Sequence, residues 1–178
     1  MERGQTTLDF AIGVSIFLIS IAFVFTFVPG TLQPFTQGAQ DETAGTDRVA
    51  DLIVLDLTTE PGDAYILDGN CMAALLSDGA GTGCGFDGAT LSARLDLPPR
   101  QSINVTVRGD PSGSGPELLC WDESKKDVVG VSGSCDVSDG DVRLVTGDSL
   151  PQQRTSVVTA RRVVTIEGTL ATVAVRMW

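Results

Sequence analysis

Asp9 is the side chain in this sequence whose position most needs a chemical reason. It stands at the mouth of an almost unbroken apolar run, Phe10 to Val28. A carboxylate at the edge of hydrocarbon is costly unless something pairs with it. Other carriers of chemistry are few. There is no histidine, which removes the Ser-His-Asp triad, the Cys-His pair and the HExxH zinc motif. No pair of carboxylates is singled out by its spacing, so glycosidase-type chemistry has no candidate. Gly79-Ala80-Gly81-Thr82-Gly83 looks superficially like a nucleotide loop. It lacks the Lys and Ser/Thr of a P-loop, and no clear strand precedes it. Asp136-Val137-Ser138-Asp139-Gly140-Asp141 gathers carboxylates that could take calcium, but without the EF-hand spacing or its terminal Glu it reads as a solvated turn. Neither a metal nor a cofactor is expected, and no covalent catalysis.

Four cysteines, Cys71, Cys84, Cys120 and Cys135, all follow the apolar run. An even number in a chain that looks exported predicts disulfides. Several connectivities are open; the pairing expected here joins neighbours, Cys71 with Cys84 and Cys120 with Cys135, each closing a Gly-rich loop. A zinc site is disfavoured, because there is no CxxC pair. Asn104-Val105-Thr106 is an N-glycosylation sequon. Strand alternation puts Asn104 opposite Ile103 and Val105, hence toward solvent, where a glycan could be attached. The net charge of −11 repels phosphate backbones, so no nucleic-acid partner is expected. Only Lys125 and Lys126 are lysines. Dense carboxylates with scarce lysine suggest a salt-rich source.

The apolar run contains no charge and no proline. At roughly 1.5 Å rise per residue it is about 28 Å long, near the hydrocarbon thickness of a bilayer. Pro29-Gly30 breaks the pattern. Arg3 precedes the run and the next basic residue is Arg48, so the positive-inside rule places the N-terminus in the cytoplasm and the rest outside. Three readings compete. For a secretory signal peptide the run is too long, and no clear small-residue cleavage site follows it. A plain membrane anchor fits the length but leaves Asp9 and the Gly4-Gln5 junction unexplained. A prepilin would be cut on the cytoplasmic side, before the run, and would keep the whole hydrophobic helix.

Arg3-Gly4-Gln5-Thr6-Thr7-Leu8-Asp9-Phe10 resembles the archaeal prepilin signal with the pattern Q-x-[ST]-x-[DE], the class III signal peptide of type IV pilin-like subunits. Asp stands for the commoner Glu, and Thr for the commoner Ser. The resemblance covers about ten residues and the apolar run behind them. It implies cleavage between Gly4 and Gln5, which makes Asp9 the fifth residue of the mature chain. Cleavage exposes an α-amine on Gln5. In a filament of axially staggered helices, Asp9 of one subunit could meet that amine on another, and a wrong stagger would bury an unpaired carboxylate. Gln5 and Asp9 would then set the assembly register, although an N-terminal Gln can cyclise and lose its charge. The blander reading makes Thr6-x-x-Asp9 a capping box at the helix start. Both can hold together. Small residues in the run, Gly13, Ser15, Ser20 and Ala22, allow close helix packing. The partners implied are a prepilin peptidase, an assembly platform with its ATPase, the membrane before assembly, and copies of the chain itself in a helical homopolymer.

These readings divide the chain into a leader (1–4), a transmembrane and assembly helix (5–30), a connector with a second helical segment (31–58) and an extracellular β-rich head (59–178). Residues 29–46, with Pro29 and Pro34, are expected to form a kinked or partly melted connector whose helix resumes around Asp41. A helix capped by Asp47 follows in DRVADLIVLDL. Strands are expected at Ser102–Val107, Glu117–Trp121, Asp127–Val131 and Asp141–Val145. The clearest pattern is a C-terminal hairpin, Val157–Ile166 with Thr169–Met177 across Glu167-Gly168, at the centre of the sheet. The fold class is α+β: a long N-terminal hydrophobic helix followed by a small antiparallel β-sheet head, the lollipop layout that the pilin resemblance also implies. The expected function is a structural subunit of an extracellular filament, held in the cell membrane as a prepilin and displayed on the cell surface when assembled. The alternative is a monomeric membrane-anchored surface protein, or a minor pilin outside the filament shaft. A secreted binding protein is a third class, disfavoured by the missing signal-peptidase site.

Overall fold

The computed structural model describes residues 3–60, 62–77, 79, 81–86, 90–133, 135–152 and 156–178, with side chains described for all of these except 3–7 and 27–42. The chain forms two compact units, 1–41 and 42–178.

Helix α1 (Arg3–Asp51) is continuous. It passes Pro29, Gly30 and Pro34, where the sequence suggests a kinked connector. Each proline removes one backbone donor from the ladder, and the turns on either side keep their own bonds. Asp47 therefore lies inside a helix and caps nothing. The helix ends in a π-helical turn, Leu52–Leu57, that buries Ile53, Val54 and Leu57. Its i→i+5 bonding is completed at Thr58, whose backbone N–H and hydroxyl both donate to the Ile53 carbonyl, at 3.2 and 2.8 Å.

The rest of the second unit is a mixed sheet with short helices. The elements in chain order are β1 (Thr59–Glu60), β2 (Asp63–Leu67), α2 (Gly69–Leu76), α3 (Leu91–Arg94), β3 (Ile103–Gly109), β4 (Glu117–Asp122), β5 (Asp127–Gly130), β6 (Val142–Arg143), β7 (Val145–Gly147), β8 (Val158–Ile166) and β9 (Thr169–Met177). The nine strands run in the order β1-β2-β8-β9-β3-β4-β5, with β6 beside β4 and β7 beside β3. The small antiparallel head is thus corrected on two counts. The sheet is large, and β2 runs parallel to β8, with Ile66 opposite Thr165 and Leu67 opposite Ile166. A parallel pair needs a long crossover rather than a hairpin, and the whole stretch from α2 to β7 supplies it. The expected strand at Asp141–Val145 is split at Leu144. That residue accepts from the Val107 N–H and donates to the Leu119 carbonyl, each at 2.9 Å, and so bridges β3 and β4.

The C-terminal hairpin lies at the sheet centre. Ile166 pairs with Thr169 across the two-residue turn, where Glu167 and Gly168 have φ of 47° and 80°. Two positive φ values define the type I′ turn that matches strand twist. On the inner face Val105, Val107, Val173 and Val175 are fully buried, and they share one core with Val49, Ala50, Ile53 and Val54. Arg162 also faces inward. Its Nε donates to Asp51 at 2.7 Å and its Nη2 to Asp47 at 3.2 Å, so two carboxylates one helical turn apart hold β8 to the end of α1. The loop after β2 starts α2, which the sequence reading missed. Asp68 accepts from the Cys71 N–H at 2.8 Å and Glu167 from the Gly69 N–H at 3.2 Å, satisfying two orphan donors.

Two predictions follow from this packing. A Cβ on Gly69 would lie 2.1 Å from a ring carbon of Trp121. Gly69→Ala should therefore lower stability by about 1–3 kcal/mol, read as a drop in the denaturation midpoint; an unchanged midpoint would refute the close contact. The hydrogen bond from Arg162 holds the Asp51 carboxyl below its ordinary range. A depressed folded-state pKa stabilises above the unfolded value, about 3.9, and that gain is lost as pH falls through the folded pKa. The stability gap between wild type and Arg162→Gln should be full at pH 6 and shrink below about pH 4. A gap of constant size would argue against the pair.

Candidate functional site

Among the described residues one stretch, Leu8–Thr26 of α1, is long and apolar enough to cross a membrane, with a mean hydropathy of 2.4 and none of it buried. Phe10 and Phe25 are 73% and 75% exposed. The core helix of a soluble protein would be mostly covered. The three hydroxyl side chains of the stretch are each turned back on the helix. Ser15 donates to the Ala11 carbonyl at 2.7 Å, Ser20 to Ile16 at 2.8 Å and Thr26 to Ala22 at 2.7 Å. Satisfied in this way, they ask nothing of water, which suits them to hydrocarbon.

Asp9 is the exception. It is exposed, and among the described residues its carboxylate makes no hydrogen bond or ion pair. Among the described residues the helix runs from Arg3, and no acidic residue lies in its first turn. Thr6 is thus a helix-interior residue rather than an N-cap, and the capping-box reading of Thr6 and Asp9 is corrected. Gly4 and Gln5 fall in the first turn; the Gln5 side chain lies outside the described residues, as do Met1 and Glu2 of the leader.

The cysteines form two bonds, Cys71–Cys84 and Cys120–Cys135, with Cα separations of 5.5 and 5.9 Å. Within the first loop the Gly79 carbonyl accepts from Arg94 at 2.9 Å. The same guanidinium donates to the Ala74 and Leu75 carbonyls at 3.2 and 3.3 Å and lies 4.6 Å above the Phe86 ring. Arg94 therefore satisfies the open carbonyls at the C-terminal end of α2 and ties the glycine loop to them. That loop sits at the wrong end of a helix to cradle a phosphate; its Ala80 lies outside the described residues. Sequence reading missed Arg94, whose role depends on carbonyls brought near by the fold.

The acidic turn is built from its own carboxylates. Asp141 is 7% exposed and accepts from the Glu123 and Asp136 N–H groups at 3.0 and 2.9 Å. Asp136 accepts from the Ser138 N–H and hydroxyl, which hold its carboxyl below the ordinary range. The sulfurs of Cys120 and Cys135 lie near Asp141, but they are bonded to each other and offer no thiolate.

Asn104 requires a correction. It does face away from the core, as alternation demands, yet it is only 9% exposed. Its Nδ2 donates to the Asp148 carbonyl at 3.1 Å, and its Oδ1 accepts from Arg176 at 3.3 Å. The Asp148 carbonyl, just after β7, and the Arg176 guanidinium on β9 close around the side chain that the pattern left open. A glycan on Nδ2 would have to displace that cover. Peptide mapping of native material should find Asn104 unmodified, and a glycan there would show that this cover opens.

The fold and the N-terminal segment define the class: an α+β protein led by a helix long and apolar enough to cross a membrane, with a disulfide-bonded mixed-sheet unit behind it. The chain belongs to a family of unknown function, DUF7287, whose model matches residues 1–178. No curated protein and no solved structure matches the chain.

Proposed function

We propose that this chain is a structural subunit of an extracellular archaeal type IV pilus-like filament, made as a membrane-anchored prepilin. The observation that carries this reading is Asp9, a carboxylate five residues behind Gly4 that has no partner among the described residues, at the head of an apolar stretch, Leu8–Thr26, that they leave uncovered. A membrane accounts for the apolar surface but not for the carboxylate. Packing against other copies accounts for both. The helix face is buried among neighbours, and Asp9 is neutralised by the α-amine that cleavage before Gln5 exposes. The two disulfides fit an oxidising, extracellular setting. In this reading the chain does no covalent chemistry. Its partners are a peptidase, an assembly platform with its ATPase, and its own copies.

Mass spectrometry of the N-terminal peptide from native cells tests processing. A chain beginning at Gln5, cyclised or not, is expected. Retention of Met1 or Glu2 would favour the monomeric anchored protein, and a start beyond Val28 would mean a secreted domain. Asp9→Ala should leave membrane insertion intact and sharply reduce sheared filaments; filaments at wild-type yield would remove the register role.

A further inference from the structure

The three central strands carry all the charge they have in one sign. Strands β3, β8 and β9 hold Arg108, Arg161, Arg162 and Arg176 and no carboxylate, in a chain whose net charge is −11. Arg162 is used on the inner face. The outer face presents exposed Arg108 and Arg161. Pairing registers place Val163, Thr172 and Arg108 in one row across the sheet and Ile66, Thr165 and Leu170 in the next. Val163 and Leu170 are 62% and 67% exposed. The result is an apolar centre flanked by the Arg161 guanidinium and by that of Arg108, which gives one donor to the Pro116 carbonyl at 3.1 Å, on a part of the sheet that the described residues leave exposed.

We propose that this face docks the Asp136–Asp141 turn of a second copy of the chain. The turn has the complementary pattern. Val137 stands out at 59% exposure, between Asp136 and Asp139, both exposed. The turn is also held in shape before any encounter, by the Cys120–Cys135 bond beside it and by the two N–H groups that Asp141 accepts. A preformed element loses little freedom on docking. Val137 would meet Val163 and Leu170, while the free carboxylate oxygens meet Arg161 and Arg108 in charge-assisted bonds. The two surfaces are different patches of one molecule, so the contact is head-to-tail, the kind that builds open helical filaments wherever its rotation does not close a ring. The proposal rests on the filament reading, which requires contacts that propagate.

The test uses the full-length chain in zwitterionic detergent micelles, followed by sedimentation velocity at about 0.15 M salt. Wild type should self-associate. Arg161→Glu and Asp139→Arg should each weaken association about tenfold or more, by placing like charges together. The double reversal should restore it. Near-UV circular dichroism checks the fold of each variant; the neutral changes Arg161→Gln and Asp139→Asn should weaken association in the same direction if a reversal fails to fold. Monomeric wild type, single reversals that associate like wild type, or a double variant without recovery would each overturn the docking surface. None of these results bears on the mature N-terminus. A chain starting at Gln5 with no charge-dependent association would sink this inference and leave the filament reading standing.

Discussion

The sheet unit has a core because the end of α1 and the π-helical turn behind it pack on the apolar face of the sheet. Ala50, Ile53 and Val54 are fully buried, and they provide the second layer that any sheet with one apolar face must find. The π-helical turn serves the same need. Bonding from Ile53 to Thr58 packs the run Leu52–Leu57 against the strands and then releases the chain into β1. The Arg162 clamp sets how that layer is oriented. Its two partners are about half exposed, and pairs of that kind add little net stability. The Arg162 side chain is 22% exposed beside the core, and without Asp47 and Asp51 its charge would be poorly hydrated and unmatched.

Much of the acidity of the chain is structural. Asp68 and Glu167 close the N-terminus of α2, and Asp141 gathers the acidic turn. Asp122 does most. Its carboxylate takes the Ser124 and Lys125 N–H groups, the Ser124 hydroxyl and the Lys125 ammonium, and so forms the β4–β5 turn. The Lys125 ammonium first, and then Ser124, hold it well below the usual carboxylate range. A carboxylate that accepts several donors is a loop-building part as much as a surface charge. The negative composition is therefore a weaker clue to habitat than it looks from the residue count.

What could be read from the sequence was local. The hairpin over Glu167-Gly168 was legible because turn chemistry and β-branched runs agree there. Strands β3 to β5 were legible from alternation between turn residues, and the apolar helix from its length. Helix α2 was not, because GNCMAALL is short and opens with two poor helix formers; its stability comes from Asp68, Glu167 and Trp121, which the fold brings together. The continuity of α1 was missed by giving Pro29 and Pro34 more breaking power than they exert. The parallel β2–β8 pair joins distant segments and leaves no local mark. The exposure of Asn104 was misjudged for a related reason: period-two patterning tells which side of a strand a residue faces, not whether that side is covered. At the N-terminus the short motif was readable and its helical setting less so, since the helix starts before Thr6.

The order of strands in the sheet also sets the order in which the molecule can become itself. The middle of the sheet is made from the last part of the chain, and β9 lies between β8 and β3. Until Thr169–Met177 has joined, β3 lacks its neighbour along its full length, and β2 has no hairpin to lie against. Contacts this distant in sequence close slowly. A chain truncated between Cys135 and the hairpin turn would keep its apolar helix and both loop disulfides yet have no sheet centre. The final strand thus acts as a keystone, and the architecture itself distinguishes finished molecules from fragments.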